Sequence, residues 1–220
     1  MFYTHKITKI KSGDRVLEIG PGGSPSDRAD VFLELKISEA DLAKQRGNVD
    51  KPTLTKPIVY YDGQKFPFEN KEFDYVICSH VLEHTPSPEQ FLSEVFRVGK
   101  RGYLEFPTIL YDYLYNFSVH LNLLSYTGDK ILYLSKSDTN LNDFLPIQHV
   151  FLDYLEMGHD SIVKEMKPKM FQGFEWVNPV AIRKAMSIKE LITEMTSSGV
   201  SEKLTGQRSF KRRLLDKIKL

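Results

Sequence analysis

Val16-Leu17-Glu18-Ile19-Gly20-Pro21-Gly22-Gly23 decides how the rest of the chain is read. Residues suited to a buried strand run directly into a glycine turn. Glycines let the backbone take φ > 0 and come close to a ligand, which side chains would prevent. In open α/β sheets, ligands bind beyond the carboxyl ends of the strands, where this turn would lie. The turn lacks the GxGxxG register of dinucleotide binders, and no Lys-Ser/Thr pair follows it to form a phosphate loop. Ser24-Pro25 suits the capped first turn of a short helix.

Further along, the same alternation of apolar runs with turns or helices continues, which is the pattern of an α/β chain with a parallel sheet. After a first strand over 15–19, strands are predicted over 31–35, 58–61, 73–78 and 103–106. Pro88–Val98 is predicted as a helix, because Phe91, Leu92, Val95 and Phe96 fall on one face. After Pro107 the rhythm changes. Residues 108–126 are aromatic-rich and read as helical, 129–136 as a strand, 138–172 as irregular, 174–177 as a last strand, and 181–197 as helical. With no repeat and no Gly/Ser linker, 1–220 reads as one domain. Its parts are a core over 1–107, an inserted acceptor or lid region with late strands over 108–180, and a helical basic tail over 181–220.

Composition excludes several classes. Thirty Lys+Arg against 29 Asp+Glu leave +1, so no global field marks a nucleic-acid binder, and nucleic acid is not an expected partner. One cysteine, Cys78, rules out an internal disulfide scaffold and fits a reducing compartment. No apolar run is long enough to span a bilayer, and the start lacks the apolar core of a signal peptide. A cytoplasmic protein is expected. The near-neutral total hides a basic tail over 208–220, where six Lys and Arg face only Asp216. That tail reads as a solvated end or as a weak contact for an acidic partner or membrane surface.

Two acidic positions follow the glycine turn. Glu34, near the end of the second strand, could accept both hydroxyls of a ribose. Asp62-Gly63 ends the third strand, either as a plain turn or as a contact for an adenine amino group. A longer signature lies downstream: Phe66-Pro67-Phe68-Glu69-Asn70-Lys71-Glu72-Phe73-Asp74-Tyr75-Val76-Ile77-Cys78-Ser79-His80-Val81-Leu82-Glu83-His84. With the glycine loop, it resembles the class I S-adenosylmethionine-dependent methyltransferases, most closely the branch called methyltransferase type 11. The resemblance covers roughly residues 13–107.

That resemblance implies a Rossmann-like sheet with helices on both faces and S-adenosylmethionine as the cofactor, leaving S-adenosylhomocysteine after transfer. Glu18, Gly20, Pro21, Gly22 and Gly23 would then face the cofactor's methionine part, and Glu34 its ribose. Asp62 and Gly63 would read the adenine, and Ser79 and His80 would lie beside the cofactor at the acceptor's mouth. Leu82-Glu83-His84 is a family signature with a structural as well as a catalytic reading. Two departures stand out. The first crossover is short, so its helix must be a stub, and Asp30 and Glu39 rival Glu34 for the ribose. Arg97-Val98-Gly99-Lys100-Arg101-Gly102 replaces the family's usual turn, which reads as loop variation.

The implied reaction is in-line attack on a sulfonium methyl group, by a small-molecule or glycan/lipid-type acceptor. A hydroxyl or protonated amine acceptor also needs a base. His80, His84 and His149 are candidates, as are Tyr111, Glu105 and His120. The aromatic run from Tyr111 to Phe117, with Phe171, Phe174 and Trp176, suits either a lid over a planar or sugar-like acceptor or plain packing. Read as scattered, with no cysteine cluster, the six histidines give no metal centre to expect. The competing reading is a binding or assembly protein that keeps the cofactor fold without transfer. Oligomeric state is not legible.

Overall fold

The computed structural model describes residues 1–38 and 56–197. Six strands make the central sheet: β1 (Val16–Ile19), β2 (Val31–Leu35), β3 (Ile58–Tyr61), β4 (Tyr75–Ser79), β5 (Gly102–Pro107) and β8 (Phe171–Trp176). Their order is β3-β2-β1-β4-β5-β8; the first five run parallel, and β8 lies antiparallel on β5. The order reverses between β1 and β4, which opens a crevice at their carboxyl ends. β1 is buried along its whole length and β4 through Cys78, as expected for parallel strands covered on both faces.

Helix α1 (Pro88–Val98) covers one face, with Pro88 in its first turn and Phe91, Leu92, Val95 and Phe96 turned to the sheet. The other face, around Tyr75, Ile77 and Tyr103, is covered by the amino-terminal segment, α2 (Ile109–Tyr115) and α4 (Ser161–Met170). A second sheet, ordered β6-β7-β9, joins β6 (Asn122–Tyr126), β7 (Lys130–Ser135) and β9 (Ala181–Lys184). Leu124 and Ile131 of this sheet join the main core, while Leu123, Leu132 and Leu134 pack with Leu191 of α5 (Ile188–Ser197). No helix among the described residues is long and apolar enough to cross a membrane.

The α/β class, the five parallel strands and α1 agree with the sequence reading. The first crossover and the second half differ from it. The β1–β2 crossover holds no helix at all: the Ser26 amide after Ser24-Pro25 is held by Glu18, and the segment turns instead of coiling. Only Ile109–Tyr115 of 108–126 is helical, because Asn116 takes a left-handed φ of 47° and Asn122–Tyr126 pairs with β7. Within 138–172, read as irregular, lie α3 (Leu145–Glu156) and α4. α3 keeps Ile147, Val150 and Tyr154 exposed, so its apolar residues do not sort onto one buried face. Residues 181–184 are β9, not helix, paired with β7 along Lys130–Tyr133. Glu39 and the basic stretch 208–220 lie outside the described residues.

Candidate active site

At the carboxyl ends of β1, β2 and β4 a cavity of about 840 Å³ opens, within the size range of cofactor sites. Gly20 and Gly22 form its turn with φ of +58° and +55°. The Gly20 amide donates to the Leu33 carbonyl at 2.9 Å, tying the turn to β2. A Cβ on Gly20 would stand 2.7 Å from Cγ2 of Val81, so both the conformation and the space require glycine.

The carboxylate of Glu18, at the end of β1, is buried on the cavity wall and accepts from the Ser26 amide at 2.7 Å. Burial, only partly offset by that bond, pushes its pKa up to about 7. Pro21, Gly23 and Glu34 also line the cavity. Of the two rivals to Glu34, Asp30 lies within the described residues and is engaged elsewhere: its Oδ2 accepts from the Val16 amide at 2.8 Å. Gly63 reaches the cavity, but Asp62 does not line it. The Asp62 side chain accepts from the Gln64 amide at 3.0 Å and so fastens the turn, in line with the plain-turn reading.

Past β4 the chain enters a left-handed residue, His80, with φ of 56°. This turns the imidazole between two carboxylates: Nε2 lies 3.0 Å from Glu105 Oε1, and Nδ1 lies 3.3 Å from Glu83 Oε1. Burial disfavours the imidazolium, but the two carboxylates outweigh it and raise the His80 pKa to about 9. Glu105, in the middle of β5, faces the amino-terminal segment. It accepts from the amides of Phe2 (2.6 Å) and Tyr3 (2.9 Å), from Ser79 Oγ (2.9 Å) and from the Tyr103 hydroxyl (2.5 Å). Burial alone would raise its pKa, yet His80 and these donors hold it well below the carboxylate range.

Beside His80, the 3-10 turn Leu82–His84 carries Glu83 and His84 into the same cavity, and the loop before β6 brings His120. Glu83 is wholly buried, and neither of its oxygens accepts a hydrogen bond. His84 Nδ1 lies 2.9 Å from the Val119 carbonyl, and burial holds the His84 pKa below its usual value. His120 Nδ1 lies 2.8 Å from Asp112 Oδ1. Sequence reading missed this convergence. His80 and His84 stand in His-x-x-x-His spacing within the signature, which counts against treating the histidines as scattered.

Phe2 and Phe171 pack edge-on against His80, and Tyr111 and Phe117 extend this aromatic wall along the cavity. Phe2 carried no sequence signal, because its place depends on Glu105 holding its amide. The other aromatics proposed for a lid have packing roles. Trp176 is buried edge-on against Phe96, Phe174 stacks on Tyr126, and Tyr115 is buried in the core. His149 is exposed on α3 and does not line the cavity.

Residues 17–104 match the family model described as a methyltransferase domain. The sterol 24-C-methyltransferase of Schizosaccharomyces pombe is 34% identical over 101 residues, covering 42% of this chain and 27% of that protein. The phosphatidylethanolamine N-methyltransferase of Cereibacter sphaeroides is 29% identical over 96 residues, covering 41% and 47%. Among solved structures, an S-adenosylmethionine-dependent methyltransferase from Methanosarcina mazei is 18% identical, with a TM-score of 0.34, covering 53% of this chain and 68% of that one. The chain thus spans between about a quarter and a half of the length of these curated relatives. The family resemblance read from the sequence holds over residues 17–104, the part that carries the glycine turn and the long signature.

Proposed function

We propose that this chain transfers the methyl group of S-adenosylmethionine to a small-molecule or lipid/glycan-type acceptor. One observation carries the reading: the buried carboxylate of Glu18, the left-handed glycine turn and Glu34 all open on a single cavity at the point where the strand order reverses. The donor chemistry suits that cofactor. A carboxylate lifted to about 7 by burial gains from a cationic amino group, a backbone bare of Cβ admits a close ligand, and a second carboxylate suits ribose hydroxyls.

When bound, the cofactor supplies a methyl group on a sulfonium that departs as a neutral thioether. The chain's own part is then to hold, align and keep dry. Glu18 takes the amino group, Glu34 the ribose, and the Tyr61–Gln64 turn the base. His80, with both ring nitrogens turned to the Glu105 and Glu83 carboxylates, shapes the acceptor's mouth and has no nitrogen free to act as a base. Tyr111, Phe117 and Phe171 give the acceptor an apolar face, and relatives named for sterol and phosphatidylethanolamine methylation favour a lipid-type molecule there. One transfer unit is proposed, with its cofactor core over 1–107 and acceptor side over 108–180.

Calorimetry with S-adenosylmethionine and S-adenosylhomocysteine tests the cofactor half. Saturable one-to-one binding is expected, and no heat at millimolar ligand would overturn the reading. A homocysteine-release screen over sterol, phospholipid headgroup and sugar acceptors tests the rest. Binding with no turnover on any of them would favour a non-catalytic cofactor-fold protein.

A further inference from the structure

Glu83, His84 and His120 each offer a ligand atom, and these atoms all lie within 4.8 Å of one another on the cavity wall. Both Glu83 oxygens are buried without a hydrogen-bond donor, a costly state for a carboxylate unless a cation completes it. The His80 ring, paired through Nε2 with Glu105, brings Nδ1 only as far as 3.3 Å from Glu83 Oε1, without hydrogen-bond geometry. Glu83 Oε2 therefore keeps no donor.

The two imidazoles are oriented as metal ligands are. His84 gives its Nδ1 proton to the Val119 carbonyl, which leaves Nε2 as a lone pair 3.9 Å from Glu83 Oε1. Carboxylate and lone pair are then two acceptors facing each other, an arrangement that a cation between them reconciles. His120 gives its Nδ1 proton to Asp112, so its Nε2 also remains as the ligand nitrogen. Asp112 is in turn backed by Lys136 Nζ at 3.5 Å. Rings anchored through one nitrogen to a carbonyl or carboxylate, with the other nitrogen left over, are the usual outer shell of a histidine–metal site.

We propose that Glu83, His84 and His120 bind one divalent transition ion of the zinc class, leaving a coordination position open to the cavity. Two imidazoles and one carboxylate are a donor set that such ions accept, and three protein ligands leave room for a fourth. Donor atoms on a tetrahedral zinc, with bonds of about 2.0–2.1 Å, stand about 3.3 Å apart, so the trio closes by shifts on the order of 1 Å. The role of the open position rests on the methyltransferase reading: it takes the acceptor's hydroxyl oxygen. The O–H bond breaks and its proton leaves to solvent. The oxygen lone pair then forms the O–CH3 bond as the S–CH3 bond breaks, with its electron pair going to sulfur.

The test uses the full chain, stripped by chelator and titrated with Co2+ under visible absorption. One Co2+ per chain is expected, displaced by Zn2+ and with bands that shift on adding azide. In folded His84→Ala and His120→Ala proteins the affinity should fall at least a hundredfold, and in His149→Ala it should not change. Failure of Co2+ and Zn2+ to bind at millimolar concentration overturns the site, as does binding that survives in the folded double variant. A spectrum indifferent to azide overturns the open position. If the variants do not fold, X-ray absorption of the Co2+-loaded wild type decides, since a shell without imidazole overturns the site. Calorimetry with S-adenosylhomocysteine on the same stripped and loaded samples reads the cofactor site separately. Metal bound without that ligand would sink the transfer reading and leave the metal site standing.

Discussion

Glu105 Oε1 lies 3.0 Å from His80 Nε2 and 2.6 Å from the amide nitrogen of Phe2, so one buried carboxylate joins the loop after β4 to the amino-terminal segment. With Tyr3, Ser79 and Tyr103 it collects five donors. Glu105→Gln keeps the volume but removes the charge and turns one acceptor oxygen into a donor against donors. A loss of about 2–4 kcal/mol is expected. Thermal unfolding should show a drop of about 10 °C. An unchanged midpoint would mean that this junction is not structural.

The pH dependence of cofactor binding should follow Glu18. Its folded pKa, near 7, lies above its unfolded value, so folding takes up a proton between about 4.3 and 7. This carboxylate therefore lowers stability as pH rises through that window, and the penalty is complete above it. A cationic ligand group favours the charged form, so affinity for S-adenosylhomocysteine should rise from pH 6 to pH 8 with release of a proton. Glu18→Gln should stabilise the free protein at pH 8, by on the order of 2 kcal/mol, and flatten the affinity profile. Calorimetry in buffers of different ionisation heat reads the proton, and an affinity that falls with pH would contradict the assignment.

Glu34 and Asp30 should separate cleanly. Glu34→Ala should weaken cofactor binding at least tenfold. Asp30→Asn should act on stability instead, by about 1–2 kcal/mol, because its carboxylate holds the Val16 amide. Equal cofactor affinity in Glu34→Ala and wild type would move the ribose contact to another group.

Gly20→Ala meets two obstacles, a φ of +58° and a Val81 methyl 2.7 Å from the new Cβ. Pairing it with Val81→Ala removes the second and leaves the first. Cofactor affinity should drop by more than tenfold in the single variant and recover in part in the double. If the pair recovers nothing, the backbone conformation alone sets the requirement.

His149→Ala should leave cofactor affinity and turnover unchanged, because the ring is exposed on α3 outside the cavity lining. A tenfold loss of turnover in an acceptor assay would bring α3 into the acceptor site.

The part of the chain up to Pro107 was legible because its signals are local. A buried parallel strand reads as an unbroken apolar run, a left-handed turn reads as glycine, and α1 shows its face at helical spacing. The part after Pro107 depends on contacts between distant segments. α3 leaves Ile147 and Val150 exposed, so its apolar residues do not sort onto one buried face, and β9 takes its strand form from pairing with β7. Glu83 showed as part of a signature, but its meeting with His120 exists only once Asn122 binds the Thr85 carbonyl and Leu121 the Glu83 carbonyl. Phe2 could not be ranked at all, because a buried carboxylate on β5 gives it its place.

Pro107 ends β5 and Phe171 begins β8, and these two residues are paired across the sheet, with the Thr108 amide bound to the Met170 carbonyl at 2.8 Å. Everything between them leaves the sheet and returns to the same spot. Closing such an excursion costs little more when it is lengthened, since the entropy grows only with the logarithm of its length. The segment is therefore a cassette on a fixed socket. Exchanging it for a segment of different size would replace Tyr111, Phe117 and His120, half of the aromatic wall among them, and leave every strand pairing of the six-stranded sheet in place.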